Sequence, residues 1–437
     1  MHKTLLAGIS ASALLLACAS GASAQTMEDV EAMDLSGQTL TIFGPWLTED
    51  QEHFEAVIAP FEEATGADVQ YSGSDSFEQQ IVIDTQAGSA PNIAVFPQPG
   101  LAADLASRGL LTPLEEDTSQ WVLDNYAAGQ SWIDLGTYAD ENGEDQLYGF
   151  FYKVDNKSLV WYVPQNFTDA GYEIPETYED LIALSEQIIA DGGTPWCVAL
   201  GSGAATGWPA TDWVEDLMLR MNAPEDYDAW VSNELKFNDP KVVAVLEEYQ
   251  RFVQEDWVNG GSAAAASTDF RDGPAGLFAV PPGCYMHKQA SFISSFFPEG
   301  TEIGTDADFF YFPSSSEADL GNPVLGAGTL FAITDENDAA HAFINYLQTV
   351  EANEIWMGRA GMLTPHTGVN LDAYSSDAAR RQTEILLNAD TFRFDASDLM
   401  PGAVGAGSFW TGVVDLTGGA DAQEVADEIQ ASWDALE

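Results

Sequence analysis

The chain has 437 residues, 46% of them hydrophobic, enough for about two domains of ordinary size with sizeable cores. Charge is the outlier: 70 Asp and Glu stand against 14 Lys and Arg, a formal net charge of −56. A field of that sign repels phosphate backbones and anionic membrane surfaces, which argues against nucleic acid as a partner. The carboxylates are scattered (Glu49, Asp50, Glu52, Glu55, Glu62, Glu63, Asp68) and read as a solvated acidic surface of a salt-adapted protein.

The chain opens with Lys3 before an apolar run from Leu5 to Ala19, and Ala22-Ser23-Ala24 precedes Gln25. A cationic start, an apolar centre and an A-x-A site predict a secretory signal peptide over 1–24 and a periplasmic mature protein. Leu15-Leu16-Ala17-Cys18 offers a lipoprotein cleavage box as the alternative, with Leu16 fitting that box poorly. No later stretch reaches the roughly 20 apolar residues of a helical span. Cys197 and Cys284 then remain, as one disulfide or as two buried thiols. No His stands at ligand spacing to either, so a zinc site is disfavoured and no metal is expected.

Leu40 to Trp46 reads as a strand ending in a Gly44-Pro45 turn, with Trp46 at its carboxyl end. Phe54, Val57, Ile58 and Phe61 recur at spacings of three and four, which predicts a helix over about 49–64 stopped at Gly66. A strand over 68–71, a polar turn holding Asp75, a helix over 77–87 and a strand over 90–96 follow, the last running into Pro97-Gln98-Pro99. Alternating strands and helices predict βαβ units and a parallel sheet, with ligands beyond the carboxyl ends of its strands. Trp46, Asp75 and Gln98 stand at such ends. The acid- and Gly-rich loop 138–145 misses EF-hand spacing and reads as a solvated loop.

Phe150 to Tyr162 has no Gly or Pro, and gathers Lys153, Asp155, Asn156, Lys157 and Ser158 at its middle. Such a stretch reads as a strand that leaves one core, crosses open ground and enters another. Pockets form preferentially at domain interfaces of this kind. Beyond it, Thr177 and Asp180 are spaced like a capping box for a helix over 178–190. Gly201-x-Gly203-x-x-x-Gly207 lacks the Lys and the downstream acid of a nucleotide loop. It reads instead as a loop of close backbone approach that delivers Trp208 to a cavity. Helices are predicted over 211–221, 240–254, 339–349, 378–388 and 421–436. Leu277 to Tyr285 reads as a strand presenting Tyr285, and 309–322 as a second crossing back to the first domain.

No H-x-x-x-H, H-E-x-x-H or G-x-S-x-G motif is present, so neither a zinc hydrolase nor a serine hydrolase has a seat. The loops share aromatics beside carboxylates: Trp46 with Asp75, Trp208 with Asp212, Trp410 with Asp398. Sugars suit such pairs, stacking their C–H faces on indole and bonding their hydroxyls to carboxylates.

On these residues the chain resembles the periplasmic solute-binding proteins of sugar ABC importers, in the maltose-binding-protein-like class, and is most similar to α-glucoside binders. The resemblance rests on Phe61-Glu62…Gly66, Pro91-Asn92-Ile93, Gly358 to Pro365, and Asp398-Leu399-Met400-Pro401…Phe409-Trp410. It implies an α/β, two-lobed periplasmic-binding-protein fold (type II), with discontinuous domains joined by crossing hinge strands. The lobes would be 35–152 plus 322–350, and 153–321 plus 351–437. Trp410 inherits a sugar-stacking role, and Asp155 falls on a family acid that bonds ligand hydroxyls. Trp46, Asp75, Gln98, Lys153, Trp208, Tyr285 and Asp398 complete the expected ligand site. Lys153 reads alternatively as a hinge salt-bridge partner, and Asp398 as a helix cap. The implied function is capture of an α-glucoside-type oligosaccharide by a monomer and its delivery to permease subunits in the inner membrane, with no cofactor and no catalysis. A secreted carbohydrate-active enzyme is the alternative, as is a binder of another glycoside, a polyol or a sulfonated sugar. Phe96-Pro97-Gln98-Pro99-Gly100 replaces the Asp- and Arg-bearing loop of maltose binders, which puts maltose itself in doubt.

Overall fold

The computed structural model describes residues 26–127, 129–359 and 362–436; the leader and Cys18 lie outside the described residues. The first third alternates as predicted: β1 (Thr39–Gly44), α1 (Thr48–Thr65), β2 (Asp68–Gly73), α2 (Phe77–Ala87), β3 (Ile93–Phe96) and α3 (Pro99–Ser107). β1 pairs in parallel with both β2 and β3. α1 buries Phe54, Val57, Ile58 and Phe61 on the face their spacing predicts, each contributing about 1.5–3 kcal/mol by leaving water. It ends where Gly66 turns left-handed at φ 75, a conformation that carries no Cβ penalty only for glycine. A short hairpin of Thr137–Ala139 and Asp145–Leu147 carries the acidic loop. There Asp140 Oδ1 accepts the amides of Asn142 and Glu144 at 2.7 and 2.8 Å, so this carboxylate shapes the turn.

The polar stretch at 150–162 forms two strands, β4 (Phe150–Asn156) and β5 (Leu159–Tyr162), broken at Lys157 and Ser158. β4 belongs to the first sheet and β5 is the centre of a second. The middle crosses no open ground: Lys153, Asp155, Asn156, Lys157 and Ser158 are all buried. Charges and amides are tolerated there because they find partners in the interior.

The second part of the chain contains α4 (Tyr178–Ala190), α5 (Trp208–Met221) and α6 (Pro240–Phe252). Thr177 Oγ1 accepts the Asp180 amide at 3.1 Å, while the Asp180 carboxylate takes the Thr177 hydroxyl, at 2.7 Å, so the box is closed through side chains. Next come β6 (Met286–Lys288), β7 (Asp308–Tyr311) and the long β8 (Pro323–Ile333). β6 and β7 flank β5, both antiparallel to it. The expected strand at 277–285 is instead a 3-10 stretch, Phe270–Phe278, and a turn through Pro281 and Pro282. Two prolines in a row supply no ladder donors there.

The return crossing is likewise placed differently. Asp308–Tyr311 stays in the second sheet, and β8 itself makes the crossing, antiparallel to β4 over Gly326–Phe331 and to β3 over Leu330–Ile333. The six-stranded sheet is therefore mixed and not parallel throughout. Its order is β9–β8–β3–β1–β2, with β4 also on β8, where β9 is Thr391–Phe394. Leu325 packs in the second core and Ala327 in the first, two residues apart on one strand.

Two large cores result, one around Phe54, Phe61, Phe331 and Phe343, the other around Trp196, Trp213, Trp230 and Phe252. α7 (Val350–Met357) sends Ala352 and Trp356 into the first core, although the sequence reading gave 351 onward to the second lobe. α8 (Ala396–Leu399), α9 (Trp410–Thr417) and α10 (Ala422–Asp434) complete the second core. Cys197 and Cys284 form a disulfide with Cα atoms 5.4 Å apart, inside a smaller third core with Trp161 and Leu277. Among the described residues no helix is long and apolar enough to cross a membrane.

Candidate functional site

The crossing places Lys153 and Asp155 on the same face of β4, since side chains alternate along a strand. Their ammonium and carboxylate lie 3.6 Å apart. Ser291 Oγ donates to Asp155 Oδ1 at 3.1 Å and accepts the Asn156 amide at 3.2 Å, tying the crossing to the segment after β6. The Lys153 ammonium lies 5.9 Å from the Phe292 ring centroid and 5.9 Å from that of Trp356. One ring belongs to the segment after β6 and the other to the first core, so this cation sits between the two halves. Burial lowers the Lys153 pKa, but Asp155 and Asp50 outweigh it and hold the amine above its ordinary value. Burial raises that of Asp155, although Lys153 opposes it.

At the break in the crossing, Lys157 Nζ bonds Asp212 at 2.7 Å and also reaches Asp395. α5 turns Trp208, Asp212, Glu215 and Asp216 inward at spacings of three and four, so one helical face meets the crossing. The same ammonium lies 5.5 Å from the Trp208 ring centroid. Burial holds Asp212 up to about 7 and Glu215 well above the carboxylate range; at Asp395 burial also pushes upward, but Lys157 and the hydrogen bonds from Glu215, Lys157 and Ser397 together hold it below its ordinary value. Opposite shifts at Glu215 and Asp395 are how closely spaced acids divide their protons. Asp212, Glu215 and Asp395 present oxygens within 4.8 Å of one another, the geometry a cation would use. Lys157 supplies the positive charge to two of the three.

Trp208 begins α5 after Gly207, whose φ is 119 and whose missing Cβ leaves room for the Trp410 carbonyl. That close approach is what the glycine-rich spacing predicts, and it sets the first residues of α5 and α9 side by side. Trp208, half-buried, meets the rings of Phe270 at 5.0 Å and Phe292 at 5.9 Å. Trp208, Phe292 and Trp410 stand outside all of the hydrophobic cores, and Trp410 Nε1 is buried without a hydrogen-bond partner. Aromatics that complete no core are the ones free to stack on something else.

Across from them, Gln98 caps α3 through Leu101 N at 3.0 Å and donates to Glu78 at 3.3 Å. The backbone at Gly100 approaches the Asp398 carbonyl closely, so this loop of the first half touches α8 of the second. Burial first, then Asp395, holds the half-buried Asp398 carboxyl well above its ordinary value. The helix cap at that point is Asp395, which accepts the Asp398 amide at 3.2 Å.

Three expected site residues fall elsewhere. The Trp46 ring is 5% exposed within the first core, edge-on to Trp356 at 4.9 Å, and Tyr71 Oη binds its amide and its carbonyl. Asp75 lies exposed on the turn after β2, bonded by Ser76 at 3.4 Å. Tyr285 packs on Tyr172 at 5.2 Å, and β6 leaves it at the far end of β5 from Lys157. The sequence reading missed Lys157 and Asp395 as partners, Ser291 and Phe292 after β6, and Trp356. Lys157 alone carried a signal, as a charge inside the crossing.

Two α/β halves joined by antiparallel crossing strands, with polar and aromatic side chains gathered at the crossing, define the two-lobed solute-binding fold of type II. The model of the bacterial extracellular solute-binding protein family matches residues 44–354. The chain belongs to that family. It is 61% identical to the alpha-glucosides-binding periplasmic protein AglE of Rhizobium meliloti, over 92% of this chain and 88% of that protein. It is 42% identical to the osmoprotective compounds-binding protein GgtB of Synechocystis, over 92% and 93%. Among solved structures, the bacterial solute receptor AcbH, described as preferring β-D-galactopyranose, superposes with a TM-score of 0.77 at 18% identity, over 91% of this chain and 99% of that one; this shows the shared fold.

Proposed function

We propose that this chain is the substrate-binding component of an ABC sugar importer that captures an α-glucoside between its lobes. The observation that carries the reading is the convergence of Trp208 and Phe292, outside every core, on the crossing at Lys157 and Lys153, with the Trp410 backbone against Gly207 at the start of α5. Stacking rings beside paired polar groups are what a neutral sugar needs. The 61% identity to an α-glucoside binder supports the solute class. In this reading Asp155, Lys153, Gln98 and Asp398 bond hydroxyls while Trp208 and Trp410 stack. The ligand gains more contacts in the closed form and shifts the lobes toward it. The closed protein, exported to the periplasm as a monomer, then docks on the permease subunits, and no covalent chemistry occurs.

The test is calorimetric titration of the mature protein with trehalose, sucrose, maltose, palatinose and glucose, repeated with Trp410→Ala. Micromolar binding of an α-glucoside that the variant loses, with the sugar recovered intact, supports the reading. Silence across the panel removes the solute class, and released glucose replaces the receptor with an enzyme.

A further inference from the structure

Asp50 lies in the first turn of α1, where no side chain caps the helix and a carboxylate is favoured by the axial dipole. Its Oδ1 is buried and has no hydrogen-bond partner. Such an orphaned acceptor is costly to a fold, because the desolvation is suffered without any bond in return. One turn further on, His53 is 6% exposed, its ring edge-on to Trp356 at 6.2 Å, and its Nδ1 is likewise unpartnered. Trp356 is the ring over which the Lys153 ammonium sits, so this end of α1 faces the crossing. Lys153, 3% exposed, carries three N–H donors. The structure gives it one carboxylate at the long distance of 3.6 Å, and two aromatic rings.

We infer that Asp50 is a ligand-contacting, specificity-determining residue, which with Lys153 and Asp155 forms a cradle for two adjacent hydroxyls of the bound solute. A sugar hydroxyl both donates and accepts. The first would accept from Lys153 and donate to Asp50 Oδ1, and its neighbour would donate to Asp155. Buried donor and acceptor capacity left open in the protein is then matched by one vicinal diol. Two carboxylates around a single ammonium leave the cradle with one surplus negative charge. It therefore selects neutral glycosides and rejects phosphorylated, sulfonated or uronic ones.

This rests on the reading of the chain as a sugar receptor, and one experiment separates the two. The tightest binder among trehalose, sucrose, maltose and palatinose is titrated into wild type and Asp50→Asn, together with each of its monodeoxy analogues and its phosphorylated analogue. Asp50→Asn is expected to weaken the parent sugar about ten- to a hundredfold, the range of a hydrogen bond to a charged group. One monodeoxy analogue, poor in wild type, should bind the variant as well as the parent does. That lost penalty is a readout which mere damage to the fold would not produce. The phosphorylated analogue should bind wild type at least tenfold more weakly than its parent. Asp50→Ser, measured in parallel, carries the same test should the amide disturb the first turn. If wild type binds the parent and the Asp50 variants match it for every analogue, the assignment of Asp50 falls while the receptor reading stands. If wild type binds none of the panel, both fall.

Discussion

The Lys157 ammonium lies 5.5 Å from the centroid of the Trp208 ring. A buried charge and an aromatic ring outside the cores are thus held together at the break between the two crossing strands. The same amine pairs with Asp212 and Asp395, so one side chain supports the ring and also compensates an acid of α5 and the acid that caps α8. Removing it leaves the buried Asp395 carboxylate without its counter-charge, a change that typically costs about 3–5 kcal/mol. Lys157→Met is expected to lower unfolding stability by that amount in urea. Adding Asp395→Asn should recover part of the loss, because the stranded charge is then gone. A single-variant loss below about 1 kcal/mol, the scale of an exposed pair, would contradict this.

The acids of the same cluster set a pH dependence. Asp212 is raised to about 7 from 3.8, burial being the main cause. The folded protein therefore holds a proton that the unfolded chain has released, and stability falls as pH rises through that interval. His287, lowered to about 4 by burial, acts oppositely between there and 6.5, because the unfolded chain binds the extra proton. The comparison that isolates the acid is wild type against Asp212→Asn, in which the histidine cancels. The stability of wild type relative to the variant should decline from about pH 4 to about pH 7, by at most about 1.4 kcal/mol per unit. Urea unfolding across that range checks it, and a relative stability rising with pH would reverse the assignment.

How far this was legible in the sequence depended on what each residue answered to. Periodicity placed α1 and α4 within a residue or two, because an apolar stripe is a local property. Gly207 could be read because close backbone approach requires glycine, and Trp208 came with it. Trp46 and Tyr285 could not be sorted by their loops, since position at a strand end does not say whether a ring turns toward a core or a cleft. Phe292 follows Ser291 in a segment with no turn signal, and only long-range packing sets it beside Trp208. The partners of Lys157 come from positions 212 and 395, separations that no local pattern spans.

That sorting of aromatics predicts opposite outcomes for two substitutions of one kind. Trp208→Ala removes a half-buried ring that completes no core. It should weaken sugar binding about ten- to a hundredfold, roughly 1.4–2.8 kcal/mol, while thermal stability changes little. Tyr285→Ala removes a ring packed on Tyr172 and Phe167. It should lower the melting temperature and leave the dissociation constant within about twofold. Calorimetry and thermal scans on both variants decide it, and a Tyr285 variant that folds yet fails to bind would return Tyr285 to the site.

The disulfide, 87 residues from end to end in sequence, should act on stability and not on binding. It lies in the third core with Trp161 and Leu277. Closing a loop of that length restricts the unfolded chain by up to about 4.5 kcal/mol in the chain-entropy model. Replacing both cysteines with Ala should therefore lower unfolding stability by as much as that figure, less any native strain released. The sugar dissociation constant should stay within about twofold of wild type, because Lys153, Asp155 and Trp208 are held by β4, α5 and the segment after β6. A double variant that unfolds at lower urea yet binds normally is the expected result; one that keeps full stability would show that the constraint falls on neither state.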